Sequence, residues 1–120
     1  MRISKYNLSM NPESLANLFK ALSEPTRVRI LVLLLNKGEL CVCDLVDTLA
    51  LSQSVISRHL AYLRNNDIVV ARREGVWMYY QLSNYAQSEL MPLFNFIQNS
   101  SANSKEVQAD LANVSKVNSC

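Results

Sequence analysis

The sequence predicts a mainly α-helical domain that carries one small β-hairpin. Apolar residues recur at helical spacing through most of the chain. Two runs rich in β-branched and aromatic residues, 68–72 and 76–82, follow the fourth predicted helix and flank a turn at Gly75. The length of 120 residues suits one domain built around a single hydrophobic core.

Two N-terminal helices are predicted from their start signals and apolar positions. The first begins at Asn11-Pro12. The second begins at Pro25, because the missing N–H of proline costs nothing in a first helical turn. It runs to about Asn36 and is apolar on nearly every side at 30–35, which indicates a central helix buried in the core.

A third and a fourth helix follow at about 41–49 and 52–65, separated by a tight break. Ser52 is a favourable N-cap for the fourth helix. Helix, short turn and helix is the helix-turn-helix pattern, and a hairpin directly after it is a wing. The predicted fold is therefore a winged helix-turn-helix. In the third helix we expect two leucines to face inward and two aspartates to face outward, namely Leu45, Leu49, Asp44 and Asp47.

A last helix is predicted at about 85–98, and its apolar stripe exceeds what a small core needs. We therefore expect a homodimer that forms through the terminal helices. The stripe consists of Leu90, Leu93, Phe94 and Ile97. Residues 100–120 are rich in Ser, Asn and Ala and predict a flexible tail. The expected division is an N-terminal arm at 1–12, the winged helix-turn-helix domain at 13–99 and the tail at 100–120.

Composition excludes several functional classes. The net charge of only +2 says little about nucleic-acid binding. The apolar run at 30–35 is too short to span a bilayer. No apolar segment follows Met1 as in a secretory signal. A cytoplasmic protein without membrane contact is expected. Three cysteines do not make a disulfide framework. A single histidine, His59, argues against a His-rich zinc site, and no nucleophile–base pair suggests an enzyme.

The fourth helix has the side chains that DNA recognition requires. Its inward stripe is Ile56, Leu60 and Leu63, whereas an outward group near its N-terminus, here called the reader face, consists of Gln53, Ser54, Ser57 and Arg58. Gln suits adenine, Arg suits guanine, and Ser suits a base or a phosphate. An ordinary solvated polar face is the alternative. Arg72 and Arg73 near the wing tip favour DNA binding. His59, beside the inward stripe, is expected to pack or to contact a phosphate rather than to bind a metal.

Cys41 and Cys43 form a candidate site for a soft ion. In a regular helix two residues at this spacing point about 200° apart, so they can share an ion only at a helix start or after local unwinding. The third helix is predicted to begin at this position. A helix N-terminus also favours the thiolate form, which binds soft metals. The alternative is that both are small buried hydrophobic residues.

These segments together resemble the ArsR-type family of winged helix-turn-helix repressors, in its arsenic-sensing branch. The resemblance covers about residues 13–98 and is carried by 22–31, 39–45, 52–64 and 73–82. It implies a homodimer that binds palindromic double-stranded operator DNA without a cofactor and represses a resistance operon. It also implies release when trivalent arsenic or antimony, As(III) or Sb(III), binds Cys41 and Cys43.

One position departs from the arsenic-sensing pattern. That branch often has a third cysteine three residues after the second, where this chain has Val46. A small-molecule thiol, another ligand or Cys120 from the tail is expected to complete the arsenic shell. Residues 1–12 lack the cysteines of the cadmium- and lead-sensing branch, and 85–98 lack the Asp and His of the zinc-sensing branch.

Two other functions are compatible with the same sequence. One is a redox-sensing repressor of the same fold in which Cys41, Cys43 or Cys120 is oxidised, although cysteines two residues apart form a strained disulfide. The other is a protein-interaction module whose helix-turn-helix no longer binds DNA.

Overall fold

The computed structural model describes residues 10–116, which form seven α-helices and a three-stranded sheet. Within this part of the chain, every helix is too short or too polar to cross a lipid bilayer. The elements are α1 (Pro12–Ala21), α2 (Pro25–Lys37), β1 (Glu39–Cys41), α3 (Val42–Leu49), α4 (Gln53–Asn65), β2 (Val69–Glu74), β3 (Trp77–Leu82), α5 (Asn84–Glu89), α6 (Met91–Ser101) and α7 (Lys105–Val114).

The two N-terminal helices are confirmed. The Asn11 side chain caps α1 by accepting a hydrogen bond from the Ser14 N–H at 2.8 Å. Helix α2 begins at Pro25 and is the central helix of the core, since the side chains at 30–34 are almost completely buried. Packing on all sides of this helix explains why it has no polar face at these positions.

The helix-turn-helix is also confirmed. Helix α3 ends at Ala50, whose φ of 55° turns the chain sharply. The Ser52 hydroxyl then caps α4 by accepting the Val55 N–H at 3.3 Å. The predicted inward residues of both helices are buried, and they are Leu45, Leu49, Ile56, Leu60 and Leu63. Their burial holds α4 against the core and leaves its polar side outside.

The wing is a hairpin of β2 and β3, as predicted. Glu74 pairs with Trp77, so that a two-residue turn remains at 75–76. Gly75 has a φ of 62°, which glycine adopts without the steric cost of a Cβ atom. The third strand, β1, was not predicted. It pairs with β3 with Glu39 opposite Gln81, so β3 is the central strand of the sheet.

The predicted last helix is two helices in the structure. Pro92 has no N–H, and its ring would clash with a carbonyl oxygen four residues earlier, so α5 ends and α6 begins around Leu90. Leu90 and Phe94 from the predicted dimer stripe are buried in the core of the single chain. Phe96, which lay outside that stripe, is instead 67% exposed.

Residues 105–114 form helix α7. The prediction of a flexible tail at 100–120 is therefore wrong for this segment. Val107 and Val114 are buried. Both oxygens of Asp110 accept hydrogen bonds from Arg29, at 2.8 and 2.9 Å. Helix α7 thereby packs on α2 and on α3, the helix that carries the cysteines.

Candidate thiol site and nucleic-acid interface

The two cysteines lie at the junction of β1 and α3. Cys41 ends β1 and occupies the N-cap position of α3 with an extended backbone, φ −82° and ψ 158°. Cys43 is the second residue of the helix. Because Cys41 stands outside the helix, the two side chains converge, and their Sγ atoms are 2.6 Å apart. The predicted location at a helix start is confirmed, and both sulfurs can face one ligand.

Asp44 is part of this site, contrary to the expectation that it faces solvent. Its side chain is buried, and Oδ2 accepts a hydrogen bond from the Cys41 N–H at 3.3 Å. Ligand atoms of Cys41, Cys43 and Asp44 all lie within 4.8 Å of one another. An acidic residue at the third helical position bonds back to the N-cap amide, and this capping pattern was the signal available in the sequence.

Within residues 10–116, no third cysteine stands beside the pair. Val46 stands one helical turn after Cys43, where a third cysteine would sit, and offers no donor atom. Cys120 lies outside the described residues. Among the described residues, the buried Oδ1 of Asp44 and Oγ1 of Thr48 have no hydrogen-bond partner. The donor set in the described residues is therefore two sulfurs with one carboxylate beside them.

A cavity of about 340 Å³ opens beside the sulfurs, and we call it the thiol cavity. Four elements line it: the end of β1, α3, the first turns of α4, and the tip and second strand of the hairpin. Besides the two cysteines, its walls include Val42, Val46, Gln53, Ser57, Trp77 and Met78. Two reader-face residues therefore lie in the wall of the space next to the thiols, and no local sequence pattern predicts this.

The reader face is exposed on the first two turns of α4. All four of its side chains lie at the surface, and they are Gln53, Ser54, Ser57 and Arg58. The four residues of the reader face thus share one exposed surface, and their contact with DNA stays a prediction. The free N–H groups of the same helix end add a favourable place for a phosphate.

His59 is directed inward. The Arg27 guanidinium can only donate, so His59 Nδ1, 3.3 Å away, accepts. The other ring nitrogen, Nε2, lies 3.2 Å from a Glu24 carboxylate oxygen and donates to it. Burial lowers the pKa of His59, and although Glu24 opposes this shift, Arg27 and Arg58 reinforce it. The neutral ring packs α4 against the start of α2, and a phosphate contact by His59 stays a prediction.

The two wing arginines differ in their surroundings. Arg72 donates two hydrogen bonds of 2.8 Å to Glu39 and one of 2.6 Å to Glu74, and it lies over the Tyr79 ring. The hydrogen bonds to Glu39 and Glu74 raise the pKa of Arg72. Arg73 is exposed. Arg72 thus joins the wing to β1, two residues before Cys41, through these ion pairs.

The fold and the polar reader face define the chain as a winged helix-turn-helix protein. The family model described as "Bacterial regulatory protein, arsR family" matches residues 24–70. An arsenical resistance operon repressor of Staphylococcus aureus is 35% identical over 91 residues, which are 76% of this chain and 86% of that protein. The chain belongs to the arsR family.

Two further comparisons describe its relatives. The arsenic resistance transcriptional regulator ArsR1 of Pseudomonas putida is 53% identical over 64 residues, 53% of this chain and 50% of that protein. The chain thus spans about half the length of this relative. The structure of HlyU from Vibrio cholerae is similar with a TM-score of 0.64 and 32% identity, over 80% of this chain and 97% of that one.

Proposed function

We propose that this protein represses a metalloid-resistance operon by binding double-stranded operator DNA, and that trivalent arsenic or antimony bound by Cys41 and Cys43 releases it. The observation that carries the proposal is the thiol cavity, because it places the sulfur pair beside two side chains of the reader face. The names of two relatives, an arsenic resistance transcriptional regulator and an arsenical resistance operon repressor, support the choice of ligand. The protein acts by binding and needs no catalytic group.

The reader face enters the major groove in this proposal, where Gln53 and Arg58 have hydrogen-bonding groups for adenine and guanine. Ser54 and Ser57 contact bases or phosphates. Arg73 extends from the wing to the DNA backbone. Arg72 and His59 contribute through their partners in the protein, since each is already bonded to neighbouring side chains.

The release of DNA is explained by the wall of the thiol cavity, which includes two residues of the reader face. A ligand on both sulfurs lies against Gln53, Ser57 and the hairpin, so its binding can shift the parts that we propose to contact DNA. The ligand must then bind the DNA-free protein more tightly than the complex, and DNA must weaken ligand binding by the same factor. Two sulfurs provide two bonds to the arsenic, and a third group completes its shell.

A homodimer through the terminal helices completes the proposal. Large apolar side chains are exposed on α1 and α6: Leu15 at 39%, Phe19 at 54% and Phe96 at 67%. Burying these side chains against a second copy removes apolar surface from water. Two symmetry-related reader faces would then meet successive major grooves of a palindromic operator.

The test is DNA binding with and without arsenite. A duplex selected by the protein from a random pool serves as the operator, and affinity is measured by fluorescence anisotropy under reducing conditions. We expect arsenite to release the wild type and the Cys120→Ser variant but not Cys41→Ser/Cys43→Ser. Equal release of the double variant would place the inducer site elsewhere. Release of the wild type by oxidant but not by arsenite would establish the redox-sensing function.

A matched pair of variants tests the reader face. Arg58 and Arg64 are both exposed on α4, but Arg64 stands at the opposite end of the helix from the reader face. We expect Arg58→Ala to weaken operator binding by about 1–3 kcal/mol and Arg64→Ala to weaken it much less. Failure of the wild type to select any duplex at low salt would indicate an interaction module instead.

A further inference from the structure

We propose that Arg27 is a positioning residue for operator recognition: it holds α4, which carries the reader face, at a fixed angle to α1, which belongs to the proposed dimer surface. The inference rests on the proposed function and concerns a residue that acts on DNA only through α4. It is carried by the hydrogen bonds and the stacking contact of one guanidinium group. Arg27 is a buried residue, only 9% exposed.

On one side, Arg27 is bonded to the end of α1. Its Nε donates to the carbonyl oxygen of Ala21 at 2.6 Å, and Nη2 donates to that of Lys20 at 3.2 Å. The last carbonyl groups of a helix have no partner within the helix and carry the negative end of its dipole, so a cation is favourable there. Because Arg27 stands in the first turn of α2, it fastens α2 to the end of α1.

On the other side, Arg27 contacts two residues of α4. Its remaining nitrogen, Nη1, donates to Nδ1 of His59 at 3.3 Å. The guanidinium carbon, Cζ, is stacked 4.2 Å from the centroid of the Tyr62 ring. His59 and Tyr62 are three positions apart, so they share one face of α4. A single side chain thus links α4 to the carbonyl end of α1.

This set of contacts requires the shape of a guanidinium group. Its three nitrogens donate in different directions, while its flat face remains available for an aromatic ring. The ammonium group of lysine carries the same charge, but it is a compact point at the end of a flexible chain and cannot reach all of these partners at once. Arg27→Lys therefore keeps the charge and removes most of the linkage.

The reader face is sensitive to these contacts because of their place along α4. His59 follows Gln53 by six residues, which is about 9 Å along the helix axis. A tilt of α4 by about 10° around His59 would displace Gln53 by about 1.6 Å, enough to break a hydrogen bond to a base. Attraction to phosphates is electrostatic and independent of sequence. Arg27 should therefore control the preference for the operator more than the affinity for DNA in general.

The experiment measures sequence preference in the wild type and in Arg27→Lys. The duplex that the wild type selects from a random pool and an unrelated duplex of the same length are titrated by fluorescence anisotropy at equal salt. We expect Arg27→Lys to bind the selected duplex about tenfold more weakly and the unrelated duplex within about threefold of the wild type. A ratio of the two dissociation constants equal to that of the wild type would overturn the inference.

Arg29→Lys is the matched control. Arg29 lies two positions further along α2 and bonds to Asp110 of α7 instead of to α4. The same exchange of arginine for lysine weakens an ion pair there, but it should leave the ratio of the dissociation constants unchanged. An equal loss of preference in both variants would identify general destabilisation as the cause and would overturn the positioning role.

Circular dichroism at the titration temperature establishes whether Arg27→Lys is folded. If it is not, Tyr62→Leu decides, because it removes the stacked ring and keeps the hydrogen bonds of Arg27 to α1. A preference for the selected duplex reduced by about threefold or more supports the inference, and an unchanged preference overturns it. Failure of the wild type to select any duplex would instead overturn the proposed function.

Discussion

At the scale of single residues, His59 connects the reader helix to the rest of the protein. As a neutral ring it accepts from Arg27 and donates to Glu24 at the same time. Protonation would place a second N–H opposite the Arg27 guanidinium, where the donor has no acceptor and the charges repel. The sequence was compatible with either packing or a phosphate contact for His59, because the imidazole is polar. In the structure both of its hydrogen-bonding partners lie within the protein.

The lowered pKa of His59 predicts a pH dependence of stability. Between the lowered folded value and the unfolded value of about 6.5, the unfolded chain binds more protons. Stability from this group is therefore complete above about pH 6.5 and falls as pH decreases towards the folded pKa. This pH dependence is checked by measuring the thermal stability of the wild type and of His59→Asn at about pH 7.5 and pH 5.5. An equal loss in both proteins would contradict the assignment.

Ser52 predicts a second stability effect at this scale. Its hydroxyl caps the reader helix, so Ser52→Ala should lower the free energy of unfolding by about 1 kcal/mol. Ser57→Ala, at an exposed position within the same helix, is the control and should cost nothing, because alanine favours helices. Urea unfolding measures both. A loss for Ser57→Ala as large as that for Ser52→Ala would rule out capping as the cause.

At the scale of elements, one ion pair links α7 to α2 in addition to the buried Val107 and Val114. Asp110 is buried and Arg29 is 25% exposed, so Arg29→Met should leave an unpaired buried carboxylate and destabilise the protein by about 3 kcal/mol. Arg29→Met/Asp110→Leu removes both charges and should recover most of that loss. Chemical denaturation and hydrogen exchange of the α7 amides measure the effect. A double variant as unstable as the single one would contradict this explanation.

Predicted and unpredicted elements differ in how far apart along the chain their stabilising residues lie. The helices α1, α2 and α4 have caps and apolar stripes within their own segments, and all were predicted. Helix α7 needs Asp110 to meet Arg29, 81 positions away. Strand β1 has three residues and forms only by pairing with β3, and its last residue, Cys41, was assigned to a helix start.

The same distinction applies to the candidate site. The sulfur pair and the reader face were predicted because each lies within one segment at a helix start. The buried side chain of Asp44 and the thiol cavity were not, because both depend on how α3, α4 and the hairpin pack together. Local spacing identifies donor atoms, but packing decides which other side chains surround them.

At the scale of the whole molecule, the exposed apolar residues of the terminal helices predict self-association. Phe19→Ser and Phe96→Ser should each raise the dimer dissociation constant by about tenfold or more, because buried aromatic residues dominate interface energies. Val76→Ser is the control, since Val76 is 80% exposed at the wing tip, away from these helices. Sedimentation velocity over a concentration series measures association. A monomeric wild type at all concentrations would contradict the proposal.

The shared wall of the thiol cavity has a consequence for engineering this protein as a biosensor. Gln53, Ser57 and Trp77 border the ligand space and belong to the elements that approach DNA. A library that reshapes this wall for a new analyte will therefore also alter operator affinity, and background signal will change together with selectivity. Screening should alternate between low leakage without analyte and high response with it, because neither property can be optimised alone.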